Sequence, residues 1–198
     1  MKRCDTLPEH YREIYTVDLQ KNKKTALLIN GIAVLIAVPM LVAGHFIVPV
    51  SAFFDMEKGL GMYVLRFGVL LASIVLYMIL HELVHGVAMK LCGTKKVKYG
   101  YTGMYAYAGS TDYYAKKPYI FIALAPVVLW GVVLAVLCPF LPTEWFWVGY
   151  FVQVNNCSGA AGDLFVTAKF SRMPKDILVQ DSGVGMTVYA PCGTEIHE

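Results

Sequence analysis

The sequence predicts an all-α membrane protein, with four transmembrane helices and a small cytoplasmic β-hairpin between helices two and three. Three observations carry that prediction. Hydrophobic residues make up 57% of the chain and charged residues 16%, against the roughly 25% charged that a soluble domain carries. That much apolar surface exceeds what 198 residues can bury within themselves. The apolar residues also fall in runs long enough to cross a bilayer, with the basic residues gathered between alternate runs. The formal net charge of +3 is small and no long basic run occurs, so no nucleic-acid partner is expected.

Residues 1–24 read as a short amphipathic or irregular arm. No cleavable signal peptide is expected, because the first apolar run starts only after Lys24 and outlasts a signal core of about 7–15 residues. That run, residues 25–54, carries no charge and is longer than the roughly 20 residues a span requires. Pro39 is a candidate kink and Pro49 a candidate end. The second span begins near Gly61, holds Arg66 in its first turns and continues to Met89. The third covers residues 118–141, opened by Pro118 and closed by Pro139 and Pro142. The fourth, residues 144–170, is the most polar, with Gln153, Asn155, Asn156, Ser158 and Asp163. The division is therefore an arm at 1–24, a four-helix membrane domain at 25–170 and a polar, irregular tail at 171–198.

The basic residues orient the spans. Lys2, Arg3, Arg12, Lys21, Lys23 and Lys24 precede the first span. Lys90, Lys95, Lys96, Lys98, Lys116 and Lys117 separate the second from the third, and Lys169, Arg172 and Lys175 follow the fourth. Only Lys58 and Arg66 fall elsewhere. Four spans put all three clusters on one side, whereas three or five would split them. The excess of Lys and Arg on cytoplasmic segments then places both termini and the middle loop in the cytoplasm of a multi-pass membrane protein. Trp145 and Trp147 fall near the outer end of the fourth span, where interfacial aromatics collect. In the middle loop Tyr99, Tyr101, Tyr105 and Tyr107 alternate with smaller residues, which suggests a short hairpin. It is read either as an edge for an unwound substrate strand or as a tyrosine-rich loop on the bilayer surface.

Chemistry concentrates in the second span, at His81-Glu82-Leu83-Val84-His85. Residues i and i+4 share a helix face, so both imidazoles can reach one metal ion with Glu82 beside them. Two ligands, an open position and a base are what a zinc hydrolase requires. Ionisable groups inside a membrane are costly and are rarely placed there without a role. The competing reading is a histidine pair bonded to neighbouring helices. The cysteines, Cys4, Cys92, Cys138, Cys157 and Cys192, are scattered without CxxC spacing, so they suggest neither a disulfide framework nor a cysteine zinc site.

Depth selects a third ligand. His85 lies about 7 Å and His81 about 13 Å from the inner boundary at Lys90, counting 1.5 Å per residue. Asp163 lies about 9 Å from the boundary at Lys169 by the same count and is the acidic residue inside span four. His45 and Glu144 fall at the outer face, and His10 and His197 in the tails. Asp112 would reach the site only if the middle loop folds back. Asn155 and Asn156 are candidates for binding the peptide or an oxyanion, or else polar contacts between helices.

These residues carry a resemblance. His-Glu-Leu-Val-His-Gly (81–86), Ala-Pro (125–126) and Ser-Gly-Ala-Ala-Gly-Asp-Leu (158–164) resemble the DUF3267 family of bacterial zincin peptidases, itself similar to the site-2 proteases. The likeness extends from about residue 60 to about residue 182, including Pro-Lys-Asp-Ile-Leu-Val-Gln-Asp at 174–181. It implies a three-helix core holding Zn2+ through His81, His85 and an aspartate, with Glu82 as base. Asp163 is the aspartate that fits. Its context, Gly-Asp-Leu, differs from the asparagine–proline or leucine–aspartate–glycine of site-2 proteases. The function expected is zinc-dependent hydrolysis of membrane protein or peptide substrates at or within the bilayer. The alternative is a metal-binding membrane protein or pseudoprotease adaptor without hydrolysis.

Overall fold

The computed structural model describes residues 3–18, 22–103 and 105–194; the readings placed on Lys2, Lys21 and His197 lie outside them. Along the chain the elements are β1 (Arg3–Cys4), β2 (Tyr11–Val17), α1 (Lys23–Ile47), α2 (Ser51–Phe54), α3 (Leu60–Leu91), β3 (Lys98–Tyr101), β4 (Ala106–Gly109), β5 (Tyr113–Ala115), α4 (Lys116–Leu137), α5 (Thr143–Gly159), α6 (Ala161–Ser171), β6 (Leu178–Asp181) and β7 (Met186–Pro191). A 3-10 turn, Cys138–Phe140, closes α4.

Among the described residues, three helices are long and apolar enough to cross a membrane: Lys23–Ile47, Leu60–Leu91 and Lys116–Phe140. They keep large hydrophobic side chains on their outer surfaces, among them Leu35 and Phe46 of α1, Leu71 of α3 and Val132 of α4. A helix apolar on every side belongs in lipid or in a large core, and together the three helices indicate a membrane protein. Pro49, inside the first apolar run, marks the end of its long helix. α1 stops at Ile47, and a turn through Pro49 leads into α2.

The fourth predicted span is divided. α5 ends at Gly159 and α6 starts at Ala161, with Ala160 at φ −77°, ψ 12°. Ser158 Oγ donates to the Val154 carbonyl at 2.7 Å, a local bond that competes with the helix ladder. Gly159 and Gly162, on either side of Ala160 and Ala161, weaken the helix through their backbone freedom. Neither helix alone reaches the roughly 20 residues of a span.

The all-α class requires correction. Five strands make an antiparallel sheet in the order β1-β5-β6-β7-β2. Residues expected to form an irregular arm and tail supply four of them. Alternate residues face inward: Val179 and Asp181 in β6, and Val188 and Ala190 in β7, are buried. The tyrosine-rich loop does form a hairpin, β3 against β4, with Tyr99 opposite Ala108 and Tyr101 opposite Ala106.

The chain divides into two compact units. One takes Met1–Leu28, Glu82–Pro126 and Asp163–Glu198, and so holds the sheet, the hairpin and the motif-bearing end of α3. Its core joins Met89, Tyr119, Ile122, Val166 and Phe170 to Val179 and Val188 of the sheet. The other takes Ile29–His81 and Val127–Gly162. Its core is aromatic, built on Phe53, Phe146 and Trp147, with the Trp147 indole donating to the Val48 carbonyl at 3.1 Å. Arg66, expected in the first turns of the second span, is buried there and donates to the Ala52 and Asp55 carbonyls.

Candidate metal centre

One turn of α3 presents His81, Glu82 and His85, whose ligand atoms all lie within 4.8 Å of one another. All three are part-buried. Gly86 follows at once, and the Tyr99 hydroxyl of the hairpin occupies the space a side chain there would fill. The glycine therefore lets β3 lie directly against the motif helix.

His85 is held at both ring nitrogens. Its Nδ1 lies 2.9 Å from the Ile122 carbonyl. A carbonyl only accepts, so Nδ1 carries a hydrogen, and in the neutral ring the lone pair is then on Nε2. The local sequence explains why that carbonyl is available. Pro126 stands inside α4, four residues after Ile122, and proline has no N–H to close the bond back to residue 122. The Ala125-Pro126 pair thus releases one backbone acceptor, and His85 takes it.

On its other side, His85 Nε2 faces Asp163 Oδ2 at 3.6 Å, with both side chains largely buried. Two arrangements put a positive charge between these atoms: a proton on Nε2, which makes the contact an ion pair, or a metal ion bound by both. Ligand atoms 2.0–2.2 Å from a tetrahedral zinc ion stand about 3.3–3.6 Å apart. The separation and the nitrogen–oxygen donor set therefore fit a zinc ion. Asp163 arrives there in the first turn of α6, just after the break at Ala160.

His81 is anchored separately. Its Nδ1 lies 2.8 Å from Tyr77 Oη, one turn earlier on α3. Tyr77 Oη is in turn 2.9 Å from Asn156 Oδ1. Asn156 is wholly buried, and its Nδ2 donates to the Val127 carbonyl at 3.2 Å. Asn155 is instead part-exposed. With Ser158 it gives polar edges to an otherwise apolar cavity lined by Phe53, Phe67, Leu70 and Phe151.

The profile of the DUF3267 family, described as "Putative zincin peptidase", matches residues 74–178, more than half of the chain. The chain belongs to this family. A curated relative, an uncharacterised 24.7 kDa protein of the gap 5′ region in Pyrococcus woesei, is 30% identical over 122 residues. That match takes 59% of this chain and 53% of the relative, so the chain spans about half the length of the protein it resembles. No solved structure matches.

The stretch shared with DUF3267 contains every residue so far placed around the motif, including Tyr77, Ile122 and Pro126. Sequence reasoning passed over Tyr77, although its spacing of four from His81 was a usable signal. It also passed over Tyr119 and Asp181. Tyr119 Oη donates to Asp181 Oδ2 at 3.0 Å, and the Gly183 N–H donates to Oδ1 at 2.8 Å. Burial pushes the Asp181 carboxyl above its ordinary value, while those two hydrogen bonds pull the other way.

The assignment to Pro126 can be checked. Pro126→Ala restores the missing N–H and draws the Ile122 carbonyl back into the helix. Thermal unfolding in detergent should show α4 stabilised by about 1–3 kcal/mol. At the same time the ring ¹⁵N signals of His85 should lose the pattern of a hydrogen fixed on Nδ1. An unchanged His85 pattern would show that Pro126 has no bearing on the imidazole.

Proposed function

We propose that this DUF3267 protein is a zinc-dependent peptidase acting on membrane protein or peptide substrates within or beside the bilayer. The observation that carries the reading is the pair His85 Nε2 and Asp163 Oδ2, 3.6 Å apart, one turn from His81 on the HExxH helix. His81, His85 and Asp163 would hold the zinc. When bound, the ion supplies Lewis acidity, which lets a water attack at neutral pH and polarises the substrate carbonyl.

The chain's own residues do the rest. Glu82 accepts the proton of the attacking water on its carboxylate and returns it to the leaving nitrogen. Asn155 stands at a part-exposed position, where its amide can meet a substrate backbone. Asn156 has both ends of its amide engaged internally, so we assign it to the support of His81 and not to substrate.

The topology proposed is four crossings, the last made by α5 and α6 with the interruption at Ala160. A break there supports the site, because unwound backbone at membrane depth is tolerated where protein or water satisfies it. The distribution of Lys and Arg supports cytoplasmic termini and a cytoplasmic hairpin. Water would reach the motif from that side.

Zinc content of the detergent-purified protein, measured alongside cleavage of a membrane-embedded reporter peptide, tests the proposal. About one zinc per chain is expected, with cleavage lost on chelation and restored by added zinc. A folded protein that takes up no zinc from a zinc-containing buffer would defeat the reading.

A further inference from the structure

We infer that Tyr77 and Asn156 are positioning residues, which fix the imidazole of His81 with its Nε2 lone pair available as a ligand. The inference rests on the zinc reading above and extends it to residues outside the motif.

The polarity of the chain follows from its far end. The Val127 carbonyl can only accept, so the Asn156 atom 3.2 Å from it is the amide nitrogen. That fixes the amide orientation and turns Oδ1 toward Tyr77 Oη at 2.9 Å. An amide oxygen also only accepts, so Tyr77 commits its single hydroxyl hydrogen to Asn156. The hydroxyl can then serve His81 Nδ1, at 2.8 Å, only as an acceptor. Nδ1 must therefore carry the hydrogen of the neutral ring, and the lone pair falls on Nε2. Each link has one allowed direction.

Burial makes the direction hard to reverse. Asn156 has no exposed surface and Tyr77 is 6% exposed. Flipping the amide would set its oxygen against the Val127 carbonyl and leave a buried donor and acceptor mismatched. The arrangement parallels the one at His85, where a backbone carbonyl fixes the same nitrogen directly. Outer-shell partners of this kind set the tautomer and ring orientation of a metal-binding histidine, and their loss typically costs about 10–100-fold in metal affinity.

Tyr77→Phe removes the hydroxyl and little else. Zinc affinity by chelator competition should weaken about 10–100-fold. In metal-free protein with ¹⁵N-labelled histidine rings, the His81 signals should move from the Nδ1–H pattern toward a mixture of tautomers. Asn156→Leu retains Tyr77 but releases its polarity, and should shift the same signals in the same direction. Tyr150→Phe is the control, because Tyr150 donates to the Met40 carbonyl, away from His81, and it should alter neither readout. A wild type that binds zinc and a Tyr77→Phe variant with unchanged affinity and unchanged His81 signals would overturn the inference alone. A wild type that binds no zinc would remove the zinc reading and this inference with it.

Discussion

Replacing Glu82 with glutamine should reduce cleavage of a membrane-embedded reporter about 100- to 10,000-fold, the contribution usual for a general base, while leaving zinc content at the wild-type level. Glutamine keeps the size and hydrogen-bonding reach of the side chain and removes its ability to accept a proton. Glu82 occupies the position after His81 and three before His85, part-buried on the same turn of α3, where the proton of an attacking water would be released. The two measurements separate the possible roles. Retained turnover within a few-fold of wild type would show that another group takes the proton. Loss of zinc with loss of turnover would make Glu82 a ligand. A wild type that holds zinc yet cleaves nothing would leave the pseudoprotease adaptor as the better reading.

The parts of this protein that were legible in its sequence are those whose signal is local. The HExxH spacing needs only one helical turn. The period-two tyrosines between Lys98 and Gly109 needed only one hairpin. The three long apolar helices needed only their own hydropathy. Even the match of Asp163 to His85, which are far apart in sequence, came from two local counts, each taken from a nearby lysine.

Apart from the local β6–β7 hairpin, the five-stranded sheet had no such signal. Its β1 strand is two residues long and pairs with Tyr113 and Tyr114, and β2 pairs with β7 from the opposite end of the chain. Short strands joined across more than a hundred residues leave no periodicity long enough to read. The role of Asn156 was hidden for the same reason. In sequence it is a polar residue on an apolar helix beside Asn155, and only burial distinguishes the two. Asp181 looked like tail polarity, but the fold buries it between Tyr119 and the turn at Gly183.

Asp163→Asn should leave a folded protein that binds zinc more than about 100-fold less tightly, since even outer-shell losses cost about 10–100-fold. The substitution is nearly isosteric. It removes the negative charge and replaces a carboxylate oxygen with an amide, a poor zinc ligand beside two neutral imidazoles. His85→Ala should be at least as damaging, because it removes a ligand and leaves the Ile122 carbonyl without its side-chain donor. Chelator competition on both variants, with thermal unfolding to confirm folding, makes the comparison. If Asp163→Asn binds zinc as the wild type does, the third ligand lies elsewhere. The residue to test next is Asp181, a buried carboxyl in the same compact unit as His85. Asp181→Asn would then abolish binding. With Asp163 as the ligand, it should weaken binding far less than Asp163→Asn does, because Asp181 already has Tyr119 and Gly183 as partners.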